Sequence, residues 1–284
     1  MDTIMTIENF SFQYQGEDKK ILKNISFSIN QGEVIGIVGE NGSGKSTLCK
    51  CLVGLIPHYI SGEVSGGIWL NDKKISELTM GELSTRVGLV FQNPFNQLTY
   101  TTNTVREELA FGLGNLGVSK CEILERVEKI AKLVRISDIL DNDPVLLSGG
   151  QVQRVALGSC LIMEPEIMVL DECCSQLDPI GSEEVFTIIQ EMKKDGKTII
   201  IVEHDMERIC RVADKILVLK DGEILDFNTP EEVFSNELVR GYITPPDYTL
   251  MGEYLKSLGE KIDKTILLEE EIINKIQNYK GRIK

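Results

Sequence analysis

Short apolar runs rich in β-branched residues alternate along this chain with stretches of helical periodicity. Residues 4–12 and 25–29 read as short strands. Residues 34–38 are continuously apolar between Gly32 and Gly39, as expected of a strand buried on both faces. Similar runs lie at 87–91, 167–170, 198–202 and 216–219, and Asp221-Gly222 joins the last to 223–225 as a hairpin. Residues 61–80 are Gly-rich and strand-like, with a turn at Asn71-Asp72. Helical spacing runs from Ser46 to about Leu55, where Gly54 and Pro57 end it. It returns across 94–140, where Leu124, Val127, Ile130, Ala131 and Val134 recur on one face, and from Ser148 through Val155 and Leu161 to Pro165.

Strands alternating with helices predict an α/β fold with a mainly parallel, helix-covered sheet. The early strand-like runs form an antiparallel β subdomain beside it. The stretch at about 94–147 is nearly all helical and breaks the alternation, so it reads as an inserted helical subdomain. Pro-containing linkers at 228–230 and 245–246 set off a small C-terminal helical extension, 231–284, from a main unit of 1–230; 267–276 within it is amphipathic.

A length of 284 residues suits one large α/β domain with an appendix. A hydrophobic share of 42% with 26% charged residues is that of a folded chain, not a disordered one. The net charge of −14 argues against nucleic acid as a partner, because binding a polyphosphate backbone requires many lysines and arginines. A small anion held in a local pocket remains compatible with it. The seven cysteines are odd in number and contain no Cys-x-x-Cys, so they read as small buried apolar residues in a reducing compartment. The first ten residues lack the basic segment and long apolar core expected of a leader, and no run reaches the roughly 20 apolar residues that span a bilayer, so any membrane role is expected to come through a partner.

The chemistry starts at Gly39-Glu40-Asn41-Gly42-Ser43-Gly44-Lys45-Ser46, which fits G-x-x-x-x-G-K-[ST] between a buried strand and a helix. Its glycines let the backbone curl so that successive N–H groups form an anion nest, to which the helix adds its positive end. Lys45 would then bridge β- and γ-phosphates, Ser46 ligate Mg²⁺, and Thr47 bond the α-phosphate. The run ending in Asp171-Glu172 puts two carboxylates where ligands sit in open α/β sheets, at a strand's carboxyl end. Asp171 is placed to hold Mg²⁺ through water, and Glu172 to polarise an attacking water. Leu147-Ser148-Gly149-Gly150-Gln151 opens a helix with a second anion cradle, about a hundred residues from the first. One nucleotide needs one such cradle per chain, so the second points to a nucleotide held by another subunit.

In this order and spacing, the phosphate loop, Gln92, 147–151, Asp171-Glu172, Ser175-Gln176-Leu177-Asp178 and His204 resemble the ABC ATPase family over residues 1 to about 234. The resemblance implies a P-loop NTPase core of RecA-like type that binds ATP and Mg²⁺. It implies that Tyr14 stacks on adenine, Gln92 senses the metal and the attacking water, Asp178 organises the dimer seam, and His204 contacts the γ-phosphate. Two subunits, identical or related, would close on two nucleotides. Residues 90–98 and 102–116, with Leu55-Ile56-Pro57-His58 and 244–258, look like the energy-coupling-factor branch. That branch drives vitamin and metal-ion uptake in prokaryotes from the cytoplasmic face of the membrane. It implies an integral membrane coupling subunit and a substrate-binding membrane subunit as partners, with the C-terminal extension adding dimer contacts. The branch usually has an acidic residue at position 95, where this chain has Phe95. Cys173 and Cys174 stand where the family usually has Pro and Thr, which would put two thiols near the nucleotide. The other readings are a conventional transporter ATPase, a soluble non-transport ABC ATPase, and a non-catalytic nucleotide-binding module.

Overall fold

The computed structural model describes residues 2–262 and 264–282, with side chains described to residue 277 in the last helix. The outer bounds of the two expected units, Met1 and Lys284, lie outside the described residues. Among the described residues, ten strands form two sheets. Strands β1 (Thr3–Tyr14), β2 (Leu22–Asn30), β4 (Gly62–Leu70) and β5 (Lys73–Lys74) make an antiparallel sheet in the order β2-β1-β4-β5. The second sheet contains β3 (Val34–Val38), β6 (Val87–Val90), β7 (Ile167–Asp171), β8 (Thr198–Val202), β9 (Lys215–Lys220) and β10 (Glu223–Asn228), in the order β10-β9-β3-β8-β7-β6. All its pairings are parallel except β10 on β9.

Strands β3, β7 and β8 are buried at every position, because both faces of the sheet are covered. Alternate residues feed two cores. Val34, Val38, Met168, Leu170, Ile199 and Ile201 face the helices, whereas Ile35, Ile37, Ile167, Val169, Ile200 and Val202 face the antiparallel sheet. Phe27 on β2 meets Phe227 on β10 edge-to-face at 5.5 Å, which ties the two sheets together.

The helices Val105–Asn115, Lys120–Leu133 and Gly149–Leu161 pack around Gly158. A Cβ there would come within 3.1–3.2 Å of Leu109, Ile130 and Val134, so glycine permits this close approach. The expectation of helix throughout 94–140 needs correction. After a short 3-10 turn at Pro94–Asn96, the chain runs irregularly to Thr104, the N-cap of the helix Val105–Asn115. Thr99, Thr101, Thr102, Asn103 and Thr104 disfavour helix, and buried Glu108 holds their backbone and hydroxyls elsewhere. Its carboxylate accepts from the Thr99 amide at 2.6 Å and from the Thr99 and Thr102 hydroxyls at 2.9 and 2.8 Å.

Past β10 come the helices Pro230–Ser235, Glu237–Arg240, Asp247–Ser257 and Glu269–Arg282. Val233, Phe234 and Val239 belong to the main core, whereas Leu255, Ile266 and Ile272 form a small core of their own. No helix among the described residues is long and apolar enough to cross a membrane. The cysteines also need one correction. Cys49, Cys51, Cys160, Cys173 and Cys174 are buried, but Cys121 is exposed and Cys210 half-buried.

Candidate active site

Four strand ends build the site. Parallel register sets Ile37, Asp171 and Val202 level with one another, so the segments that leave β3, β7 and β8 emerge side by side, and Gln92 follows the end of β6. The loop from β3 turns through Gly39, whose φ of +154° and a Cβ position 2.2 Å from the Leu219 carbonyl oxygen exclude any side chain. The helix Lys45–Leu52 then begins without a side-chain cap, so its leading amides are available to an anion. Ser43 Oγ is buried in the loop without a hydrogen-bond partner, as expected of a cradle that waits for phosphate oxygens.

Lys45 is buried, and its ammonium donates to the carbonyls of Gly39 at 2.9 Å and Glu40 at 3.0 Å. Burial pushes its pKa down, against the pull of Glu172 and Asp171. Burial pushes the Asp171 carboxyl up, against the hydrogen bond it accepts from Ser46 Oγ at 3.1 Å, while the Glu172 charge adds to the upward shift. The Ser46–Asp171 pair offers only oxygen ligands, which fit a hard cation such as Mg²⁺. A cation beside Asp171 and phosphates beside Lys45 would each favour the charged form and so oppose these shifts.

Glu172 adopts a left-handed backbone, φ 48°, with its amide donating to the Val202 carbonyl at 3.1 Å. Its carboxylate is held from two sides. Gln92 Nε2 donates to Oε2 at 2.6 Å, and His204 Nε2 lies 2.9 Å from Oε1. Tyr14 at the end of β1 packs edge-on against Phe12 at 4.8 Å, with its hydroxyl 3.1 Å from Thr47 Oγ1.

Tyr14, Asn41, Gly42, Gly44, Lys45, Ser46, Thr47, Gln92, Glu172 and His204 line one open cavity of about 630 Å³. Ile21 lines it as well, although an apolar residue in a polar stretch gave no signal in the sequence. Gly39, Ser43 and Asp171 lie behind this lining, Gly39 and Asp171 hydrogen-bonded to Lys45 and Ser46, whereas Ser148, Gly149, Gly150, Gln151 and Asp178 are not among the lining residues. Ser148 caps the helix Gly149–Leu161 in a reciprocal box, accepting from the Gln151 amide at 3.4 Å while its own amide donates to Gln151 Oε1 at 2.9 Å. Asp178 caps the helix Pro179–Lys194 through the Gly181 amide at 2.6 Å. Gly150 lies beside Leu177, so the two caps are neighbours.

A helix-flanked parallel sheet with this loop and these carboxylates at its strand ends defines a P-loop nucleoside triphosphatase. Residues 22–175 match the ABC transporter family. The chain is 44% identical over 276 residues to a protein of Pyrococcus abyssi provisionally named an ABC transporter ATP-binding protein, covering 96% of this chain and 98% of that one. It is 37% identical over 286 residues to the energy-coupling factor transporter ATP-binding protein EcfA1 of Bacillus licheniformis, covering 99% of each. Among solved structures, cbiO1 of Clostridium perfringens, part of the ABC transporter complex cbiONQ, superposes with a TM-score of 0.75 at 33% identity, covering 92% of this chain and all of that one. The ATP-binding cassette MJ0796, solved as a dimer in a post-hydrolysis state with ADP and Pi, gives 0.69 at 27% identity, covering 80% of this chain and 98% of that one. The chain belongs to the ABC transporter family as an ATP-hydrolysing subunit with relatives in the energy-coupling-factor branch.

Proposed function

We propose that the chain is one half of a dimeric ATPase that drives an energy-coupling-factor importer for a small nutrient, such as a vitamin or metal ion, at the cytoplasmic face of a prokaryotic membrane. ATP would lie in the cavity between Tyr14 and the loop 39–46, with adenine on the Tyr14 ring. The triphosphate would rest on the loop amides, Ser43, Lys45 and Thr47. Ser46, Asp171 and Gln92 would hold Mg²⁺, whose charge would favour phosphoryl transfer. Glu172, oriented by Gln92 and His204, would take up a proton from the attacking water.

The observation that carries this reading is the split of the machinery. Asn41, Gly42, Gly44, Lys45 and Ser46 of the loop share one cavity with Glu172, Gln92 and His204, whereas Ser148–Gly150, which would be the second anion cradle, is not part of its lining. A second ATPase subunit would bring its own cradle to the γ-phosphate, with Asp178 at the seam. The pair would close only while that phosphate bridges both halves. Gln92 would pass the movement to the helical subdomain, about 94–147, and so to a membrane coupling subunit. The extension 231–284 would add contacts between the two ATPases, and a substrate-binding membrane protein would select the cargo.

Affinity purification of the tagged chain from native membranes, with and without MgATP, tests the assembly. Recovery of a second ATPase with integral membrane proteins supports it. Recovery of a monomer from intact membranes under both conditions rules it out.

A further inference from the structure

Tyr242 lies in the C-terminal extension, just past the helix Glu237–Arg240, with its amide donating to the Val239 carbonyl at 2.8 Å. Its hydroxyl reaches back across 202 positions of sequence to the phosphate loop, where it accepts from the Glu40 amide at 3.1 Å. The same hydroxyl donates to the Leu219 carbonyl at 3.3 Å, at the end of β9. The Lys220 ammonium lies 4.9 Å from the centre of its ring.

The Glu40 N–H and the Gly39 C=O are the two ends of one peptide plane. On the carbonyl end, Lys45 Nζ donates at 2.9 Å. The phenol and the ammonium therefore grip opposite edges of one peptide, in a hydrogen-bonded chain whose members polarise one another. The plane needs an outside anchor, because Gly39 restricts its own backbone little. The Leu219 carbonyl, to which Tyr242 also donates, lies on the same side of Gly39, where an added Cβ would come within 2.2 Å of it.

We infer that Tyr242 is a positioning residue for Lys45: it fixes the 39–40 peptide from the C-terminal extension and so makes the grip on triphosphate depend on how that extension is docked. This rests on the reading of loop 39–46 as the triphosphate cradle. Without the hydroxyl, the Glu40 amide loses its partner and the peptide can rotate. Part of the binding free energy then goes into reordering the loop.

The test compares Tyr242→Phe with the unaltered full-length chain and with Tyr254→Phe, which alters an exposed ring of the same extension. A fluorescent ATP analogue with Mg²⁺ is titrated into each, and ATP turnover is measured for each. Tyr242→Phe keeps the ring over Lys220. It is expected to weaken nucleotide binding about three- to tenfold, with kcat at saturating ATP within about twofold of the unaltered chain. Tyr254→Phe is expected to match the unaltered chain. Amide exchange on the unaltered protein supplies a readout that needs no variant: the Glu40 amide is expected to exchange more slowly than the Asn41 amide. Equal affinity of Tyr242→Phe and the unaltered chain, or a freely exchanging Glu40 amide, overturns the inference while leaving the ATPase reading intact. Failure of the unaltered chain to bind the nucleotide overturns both.

Discussion

Gln92 Nε2 donates to Glu172 Oε2 at 2.6 Å, joining two strand ends that lie 80 positions apart in the chain. With His204 2.9 Å from the other oxygen, the carboxylate is aimed before any substrate arrives. Substitution Glu172→Gln keeps the shape of this contact but removes the proton acceptor. Turnover is expected to fall by about 10²–10⁴ while ATP still binds. Phosphate release under multiple turnover, set against a nucleotide titration, checks this. Turnover at the unaltered rate would remove Glu172 from the role of base.

Ser148 makes a different prediction, because it does not line its own chain's cavity. Substitution Ser148→Arg is expected to leave ATP binding by the isolated chain unchanged and to lower turnover by about 10²-fold, as loss of a donor to the reacting group does. A titration of the monomer separates this from damage to the loop. An affinity loss as large as that of Lys45→Ala would place Ser148 in the wrong half of the site.

Apart from Tyr14, the positions that gather at the site are readable because they follow short apolar runs, and parallel strands release their loops at one edge. Val38, Leu170 and Val202 end or nearly end such runs, and Gly39, Asp171 and His204 follow at once or within two residues. Periodicity predicts helix through 99–104, where the chain is irregular, because it does not register a buried carboxylate. Glu108 sets that backbone, and in the sequence it is one acidic residue on a helix. Tyr242 and Glu40 meet through the docking of a distant segment, a relationship that no local pattern records.

The thiols beside Glu172 are expected to be inert. Cys173 and Cys174 are buried, with their sulfurs 3.9 Å apart. Their mutual hydrogen bond and burial hold the Cys173 thiol far above its usual range, which starves it of thiolate. Cys210 is likewise pushed up to about 12 by burial. Under brief alkylation at neutral pH, mass mapping should find Cys121, the exposed thiol, modified first and ATP turnover unchanged. Early modification of Cys173 or Cys174, with loss of turnover that nucleotide prevents, would instead make them a point of oxidative control.

Glu203 carries a pH dependence of stability. It follows β8, is buried, and among the described residues has only Arg208 for an ion pair, at 3.9 Å. Burial raises its carboxyl from the usual 4.5 to about 7; Arg208 opposes the shift, and Asp205 and Glu172 add to it. Below pH 4.5 the group is protonated in both folded and unfolded chains and costs nothing. Between 4.5 and 7 the unfolded chain releases the proton while the folded chain keeps it, so stability falls as pH rises. Above 7 the full penalty applies, up to about 3 kcal/mol for a shift of this size. Substitution Glu203→Gln removes the titration. Relative to the unaltered chain, its stabilisation should grow from near zero at about pH 4.5 towards that limit by about pH 8. Urea unfolding of both proteins at several pH values reads the difference directly. A gain that stays constant with pH would show that Glu203 is ionised in the fold throughout, with Arg208 compensating its burial.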